Sequence, residues 1–127
     1  LVEHLKPFVH EAGDEEEVAG ELRAVSLVGR QERWSLLNAQ LAGGVLLGTG
    51  EGCDINLAHL SMRSYISSLH AALIELERGQ YALIDVGSTN GTKIGGIPVM
   101  MSVLPKRATI ELAGVHLAWT GASAAVN

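Results

Sequence analysis

From Leu22 onward the chain is a succession of short runs in which apolar and polar residues alternate, most of them closed by glycine. The runs are 22–28, 34–37, 45–47, 54–57, 71–77, 81–85, 92–94, 97–99, 109–112 and 115–119. Alternation sends successive side chains to opposite faces, the period of a β-strand with one face buried. Gly43-Gly44, Gly79, Gly95-Gly96 and Gly114 stand where such strands must turn. Strands of three to seven residues at this spacing predict an all-β sandwich. No helix of ten or more residues is needed after Leu22.

A chain of 127 residues closes one core without staples. Hydrophobic residues make up 47% but aromatics only 4%, so that core must be built from Leu, Val, Ile and Ala. No apolar run approaches the roughly 20 residues that span a bilayer, so a membrane role is not expected. The single cysteine, Cys53, rules out an internal disulfide and fits a reducing compartment. No charged-then-apolar signal pattern opens the chain, and an intracellular setting is expected.

The net charge of −5 divides unevenly. Residues 1–21 carry seven acids (Glu3, Glu11, Asp14, Glu15, Glu16, Glu17, Glu21) against one base, Lys6. The remainder is near +1, without the basic excess that nucleic-acid binding needs. Leu1, Val2, Leu5, Phe8 and Val9 have helix-like spacing, limited by Pro7. The expected organisation is an acidic leader over 1–21, helical in part or disordered, a sandwich over 22–120 and a disordered tail over 121–127.

Two polar clusters carry the candidate chemistry: Ser67-Ser68-Leu69-His70 and Gly87-Ser88-Thr89-Asn90-Gly91-Thr92. Ser67 or Ser68 with His70 and Asp85 supplies the residue types of a hydrolase triad. Ser67 and His70 are three apart where a strand begins, however, which tends to send them to opposite faces. The chain also lacks a Gly-x-Ser-x-Gly elbow, so it does not read as an enzyme. One Cys and five scattered His form no pair at metal-ligand spacing, and neither metal nor cofactor is expected. Gly48-Thr49-Gly50-Glu51-Gly52 lacks both the Lys-Ser/Thr of a P-loop and the third glycine of a dinucleotide fingerprint.

A binding module remains. Loops cluster at the ends of a sandwich, so segments distant in sequence can form one surface. Loops 48–54, 58–70 and 86–91 offer hydroxyls (Thr49, Ser61, Ser64, Ser67, Ser68, Ser88, Thr89), the Asn90 amide and the Arg63 guanidinium. Hydroxyls, backbone N–H groups and an arginine suit an anionic group such as a phosphate.

These residues resemble the forkhead-associated (FHA) domain, whose pattern runs Gly-Arg, then Ser-x-x-His, then Thr/Ser-Asn-Gly-Thr. Here the elements are Gly48-Thr49, Ser67-Ser68-Leu69-His70 and Thr89-Asn90-Gly91-Thr92, with Asp54-Ile55-Asn56-Leu57 and Ile110-Glu111-Leu112 in matching places. The resemblance spans about residues 22–120 and implies a β-sandwich of about eleven strands that recognises phosphothreonine in an extended peptide. It implies that Ser67 bonds the phosphate with Thr89 and Ser68 beside it, while Asn90 holds the ligand main chain. Gly48, His70 and Gly91 would be structural. The implied partner is a protein or peptide, met by a monomer. Gly48-Thr49-Gly50 with Tyr65-Ile66-Ser67 is also similar to the divergent FHA domain of a PHD-finger transcriptional corepressor, which implies a nuclear setting and transcription regulation.

The departures from the pattern all concern charge. Thr49 stands where the family has arginine, Tyr65 at an often basic position and Ser68 at a common Arg or Asn. Arg63 and, beyond the turn, Lys93 are the remaining cations. Hydrogen bonds to charged groups contribute about 1.5–3 kcal/mol against roughly 0.5–1.5 for neutral ones. Two missing cationic contacts thus cost about 3 kcal/mol or more, a hundredfold in affinity. Three readings follow: an interaction module with a weakened phosphate surface that assembles a regulatory complex, a working phosphothreonine reader using Arg63, and a scaffold autoinhibited by its acidic leader.

Overall fold

The computed structural model describes residues 17–25, 28–60 and 65–122. Eleven strands form two sheets: β1 (Val18–Val25), β2 (Gln31–Leu37), β3 (Val45–Gly48), β4 (Ile55–Asn56), β5 (Ala71–Glu77), β6 (Gln80–Asp85), β7 (Thr92–Ile94), β8 (Ile97–Pro98), β9 (Met101–Val103), β10 (Arg107–Leu112) and β11 (Val115–Gly121). One sheet has the order β2-β1-β11-β10-β7-β8 and the other β4-β3-β5-β6-β9. The short β3–β4 pair is parallel and every other pair is antiparallel. This is the expected all-β sandwich.

Alternation explains the layers. In β1, Leu22 and Ala24 are buried while Glu21 and Arg23 face outward; in β11, Leu117 and Trp119 point inward. Leu47, Leu73 and Leu83 come from the facing sheet, and all three are fully buried. As the composition requires, aliphatic residues fill most of the core. Trp119 is the large exception, meeting Tyr81 edge-to-face with ring centroids 6.0 Å apart. A six-residue helix, α1 (Asn38–Gly43), closes one side by burying Leu41. The Tyr81 hydroxyl donates to Asn38 Oδ1 at the start of this helix.

Two boundaries differ from expectation. β1 begins at Val18, so residues 18–21 belong to the sheet rather than the leader. β11 continues to Gly121, whose N–H donates to Lys106 O at 2.6 Å, and Ala122 N–H reaches Ala19 O at 2.9 Å. The helical stripe at the N-terminus, most of the acidic run, Arg63 and residues 123–127 lie outside the described residues.

Gly20 sits where a side chain has no room. A Cβ there would lie 2.3 Å from the Trp119 ring and 2.8 Å from Thr120 O. Gly20→Ala should therefore destabilise the domain by about 1–3 kcal/mol, the usual cost of overpacking. Urea unfolding followed by Trp fluorescence checks this; an unchanged midpoint would show that the ring moves aside freely.

Candidate functional site

The loops at one end of the sandwich converge on His70, which is fully buried just before β5. Its Nδ1 accepts a hydrogen bond from Ser67 N–H at 3.0 Å, so Nε2 carries the proton and donates to Gly91 O at 2.9 Å. His70 N–H donates to Leu47 O and His70 O accepts from Val86 N–H. One residue thus joins the ends of β3 and β6, its own loop and the β6–β7 turn.

The β3–β4 loop is drawn against the same segment. Thr49 N–H donates to Ser67 O at 3.1 Å and Gly50 N–H to Ser68 O at 3.0 Å. Cys53 Sγ donates to Ser68 O as well. This approach explains Gly48, because a Cβ there would lie 2.4 Å from Ser68 O and 2.9 Å from Ser67 O. Asn56 holds the loop from the other side through Gly50 O at 3.1 Å. The Thr49 hydroxyl donates back to Ile66 O at 3.3 Å.

Asp85 organises the β6–β7 turn. Its carboxylate accepts from Gly87 N–H and Ser88 N–H, both at 2.8 Å, from Ser88 Oγ and from Thr92 Oγ1 at 2.7 Å. Burial by itself would raise this carboxyl, but the bonds from the Ser88 and Thr92 side chains, then from the Ser88 and Gly87 backbone, outweigh it. They hold the group well below the usual carboxylate range. Ser88 Oγ in turn accepts from Gly91 N–H at 3.0 Å, and Gly91 has φ 91°, in the left-handed region that suits glycine.

On this frame Ser67 and Thr89 meet: Thr89 N–H donates to Ser67 Oγ at 3.0 Å. That bond uses the Ser67 oxygen as acceptor and leaves its hydroxyl hydrogen for another group. Asn90 Nδ2 donates to Tyr65 O at 2.9 Å, which fixes an otherwise exposed amide. Thr89, Asn90 and Ser68 are exposed and Ser67 is half-buried. Beside them a groove of about 330 Å³ is lined by Tyr65, Asn90, Lys93 and Glu111, the last two 4.0 Å apart.

The sequence-derived candidates are therefore sorted by the structure. Ser67, Ser68, Thr89, Asn90 and Thr49 come together at one loop end, with Gly48 and His70 buried beneath them and Gly91 exposed at the turn. Arg63 lies outside the described residues. The hydrolase triad does not assemble, since His70 meets the Ser67 backbone and Asp85 is held by Ser88 and Thr92. Asp85 and Ser88 as turn anchors were missed; the signal was an Asp two residues ahead of Gly-Ser, the spacing of an Asx turn. No group of His, Cys, Asp and Glu among the described residues is placed to hold a metal ion.

The family profile described as FHA domain matches residues 45–113, more than half of the chain, and the chain belongs to the FHA-domain family of protein-interaction modules. Solved structures agree in fold. The FHA domain of CT664 protein from Chlamydia trachomatis gives a TM-score of 0.68 at 20% identity, covering 80% of this chain and 96% of that one. An FHA domain from a study of phosphothreonine-dependent FHA interactions gives 0.64 at 20%, covering 80% and 95%. The FhaA FHA domain, complexed with the intracellular domain of Rv3910, gives 0.62 at 22%, covering 80% and 99%. No curated protein sequence matches the chain. The bacterial source of the chlamydial structure lends no support to the nuclear, transcriptional setting implied by the corepressor resemblance.

Two stability measurements check this frame. His70→Ala leaves Ser67 N–H and Gly91 O without their buried partner, so a loss of about 1–3 kcal/mol is expected in urea unfolding. Asp85 has a folded-state pKa below its unfolded value of about 3.9, so its contribution is present above that pH and is lost as pH falls toward the folded value. Asp85→Asn should be less stable than the parent at neutral pH, with the gap closing below about pH 4. A gap constant with pH would assign the loss to packing rather than to the carboxylate.

Proposed function

We propose that this FHA domain binds an extended peptide segment across Ser67, Thr89 and Asn90, and that its grip on a phosphate rests on neutral donors rather than cations. The arrangement at Ser67 carries the reading. Its oxygen is already satisfied by Thr89 N–H, so the hydroxyl is poised to donate to an anion. Asn90 is fixed by Tyr65 O, leaving Oδ1 for the N–H of a ligand main chain. Phosphothreonine-dependent interaction in a structurally similar FHA domain supports phosphothreonine as the ligand class.

The weakened grip is supported by Thr49, which occupies the family's arginine position with its hydroxyl tied to Ile66 O. Lys93, the described cation nearest the loops, is drawn toward Glu111. Such a surface suits reversible assembly of a regulatory complex, in which phosphorylation adjusts affinity rather than deciding binding outright.

The test is a titration of phosphothreonine peptides and their unphosphorylated forms into ¹⁵N-labelled protein. Phosphate-dependent shifts at Ser67, Thr89 and Asn90 are expected, and Asn90→Ala should remove them. Thr49→Arg should tighten phosphopeptide binding roughly tenfold or more, the worth of one charged hydrogen bond. Identical responses to both peptide forms would sink phosphate reading. No gain from Thr49→Arg, together with a large loss in Arg63→Gln, would mean that Arg63 already supplies full strength.

A further inference from the structure

Four of the seven described lysines and arginines, Arg23, Arg33, Lys106 and Arg107, gather along the six-stranded sheet away from the loop end. Arg23 on β1 stands directly opposite Arg33 on β2. Like charges in facing positions of an antiparallel pair oppose each other. Lys106, just before β10, and Arg107, its first residue, come up beside them, sharing with Glu21, Arg23 and Thr120 a cleft of about 610 Å³. Glu21 is 3.7 Å from Arg23 Nε and 4.0 Å from Arg33 Nη1, both beyond hydrogen-bond length, and among the described residues Lys106 and Arg107 form no ion pair. Arg23 Nε is buried and has no hydrogen-bond partner among the described residues. The cluster is short of negative charge.

The missing charge is in the same chain. Residues 11–17 hold Glu11, Asp14, Glu15, Glu16 and Glu17 with no base among them. Glu17, immediately before β1, lines a groove with Val18, Lys106, Gly121 and Ala122, and those four residues also line the cationic cleft. Six residues reach about 20 Å when extended, more than the roughly 17 Å from Val18 to Arg23 along a strand at about 3.3–3.4 Å per residue. A tethered segment of this length acts at a local concentration in the millimolar range. From charge, reach and point of entry, we infer that the outer face formed by Arg23, Arg33, Lys106 and Arg107 is a docking surface for the chain's own acidic segment, residues 11–16. The segment then neutralises the sheet face and leaves the Ser67, Thr89 and Asn90 surface uncovered, a role that stands whether or not the loops read phosphate.

The test keeps the full chain and neutralises the segment (E11Q/D14N/E15Q/E16Q). In ¹⁵N spectra at low salt, the Arg23 and Arg107 Nε–H signals and the amides of Glu21, Arg23, Arg107 and Thr120 should shift relative to the parent. Raising salt from about 0.05 to 0.5 M should move the parent toward the variant, because screening shortens from more than 10 Å to a few ångströms. Repeating the neutralisation in K106Q/R107Q, where both substituted side chains are exposed, and separately in R23Q should shrink these shifts severalfold. The proposal is overturned if neutralisation leaves the sheet-face signals unmoved, if the shifts persist undiminished in both backgrounds, or if they fall instead on Ser67, Thr89 and Asn90, which would place the segment over the loop end.

Discussion

The loop end depends on a single buried imidazole. His70 is fully buried, and each ring nitrogen has a different backbone partner, an N–H from its own loop and a carbonyl from the β6–β7 turn. Because one nitrogen must accept and the other donate, only one neutral tautomer fits. The ring therefore fixes the distance between Ser67 and Gly91, which are 24 positions apart in the chain. The Ser67–Thr89 contact follows from that spacing, as does the height at which Asn90 meets Tyr65 O.

Asp85 supplies the second support by a different kind of bonding. Its carboxylate gathers two backbone N–H groups and two hydroxyls, which ties the turn together without using Ser67, Thr89 or Asn90. A chain rich in hydroxyls thus divides them into two sets. Ser88 and Thr92 donate their hydroxyls to the Asp85 carboxylate, whereas Ser68 and Thr89 are exposed and the half-buried Ser67 keeps its hydroxyl hydrogen. The division is physical rather than chemical in origin, since the residue types are the same in both sets.

Charge is organised on another part of the molecule. Among the described residues, the loop end has only Lys93 beside it, paired loosely with Glu111, while four cations collect on the outer face of the six-stranded sheet. An anion approaching the loops meets dipoles and hydroxyls; one approaching the sheet face meets net positive charge. Those two surfaces call for different ligands, and the acidic run preceding β1 suits the second.

Most strands were legible in the sequence because a half-buried strand must alternate: 71–77 and 81–85 read directly as β5 and the bulk of β6. β9 was not legible, since Met101 and Val103 are exposed while Ser102 is more buried, which reverses the usual pattern on an edge strand. The start of β1 was hidden by the acidic run before it and by Gly20, which has no side chain to mark a face. Ser67, His70, Thr89 and Asn90 could be singled out because their residue types and spacing carry chemistry. The family resemblance also implied that His70 is frame and that Ser67, Thr89 and Asn90 are surface; that Ser88 and Thr92 join the frame was not implied, because it depends on which hydroxyl finds a buried acceptor. By itself the sequence determined the alternation that builds two sheets, the glycines that permit the turns and the shortage of cations near the motif. Only the folded structure decided that Thr49 bonds Ile66 O, that Ser67 Oγ meets Thr89 N–H and that Asn90 reaches Tyr65 O, because each joins loops 17 to 25 positions apart in the chain that the strands bring to one end of the sandwich.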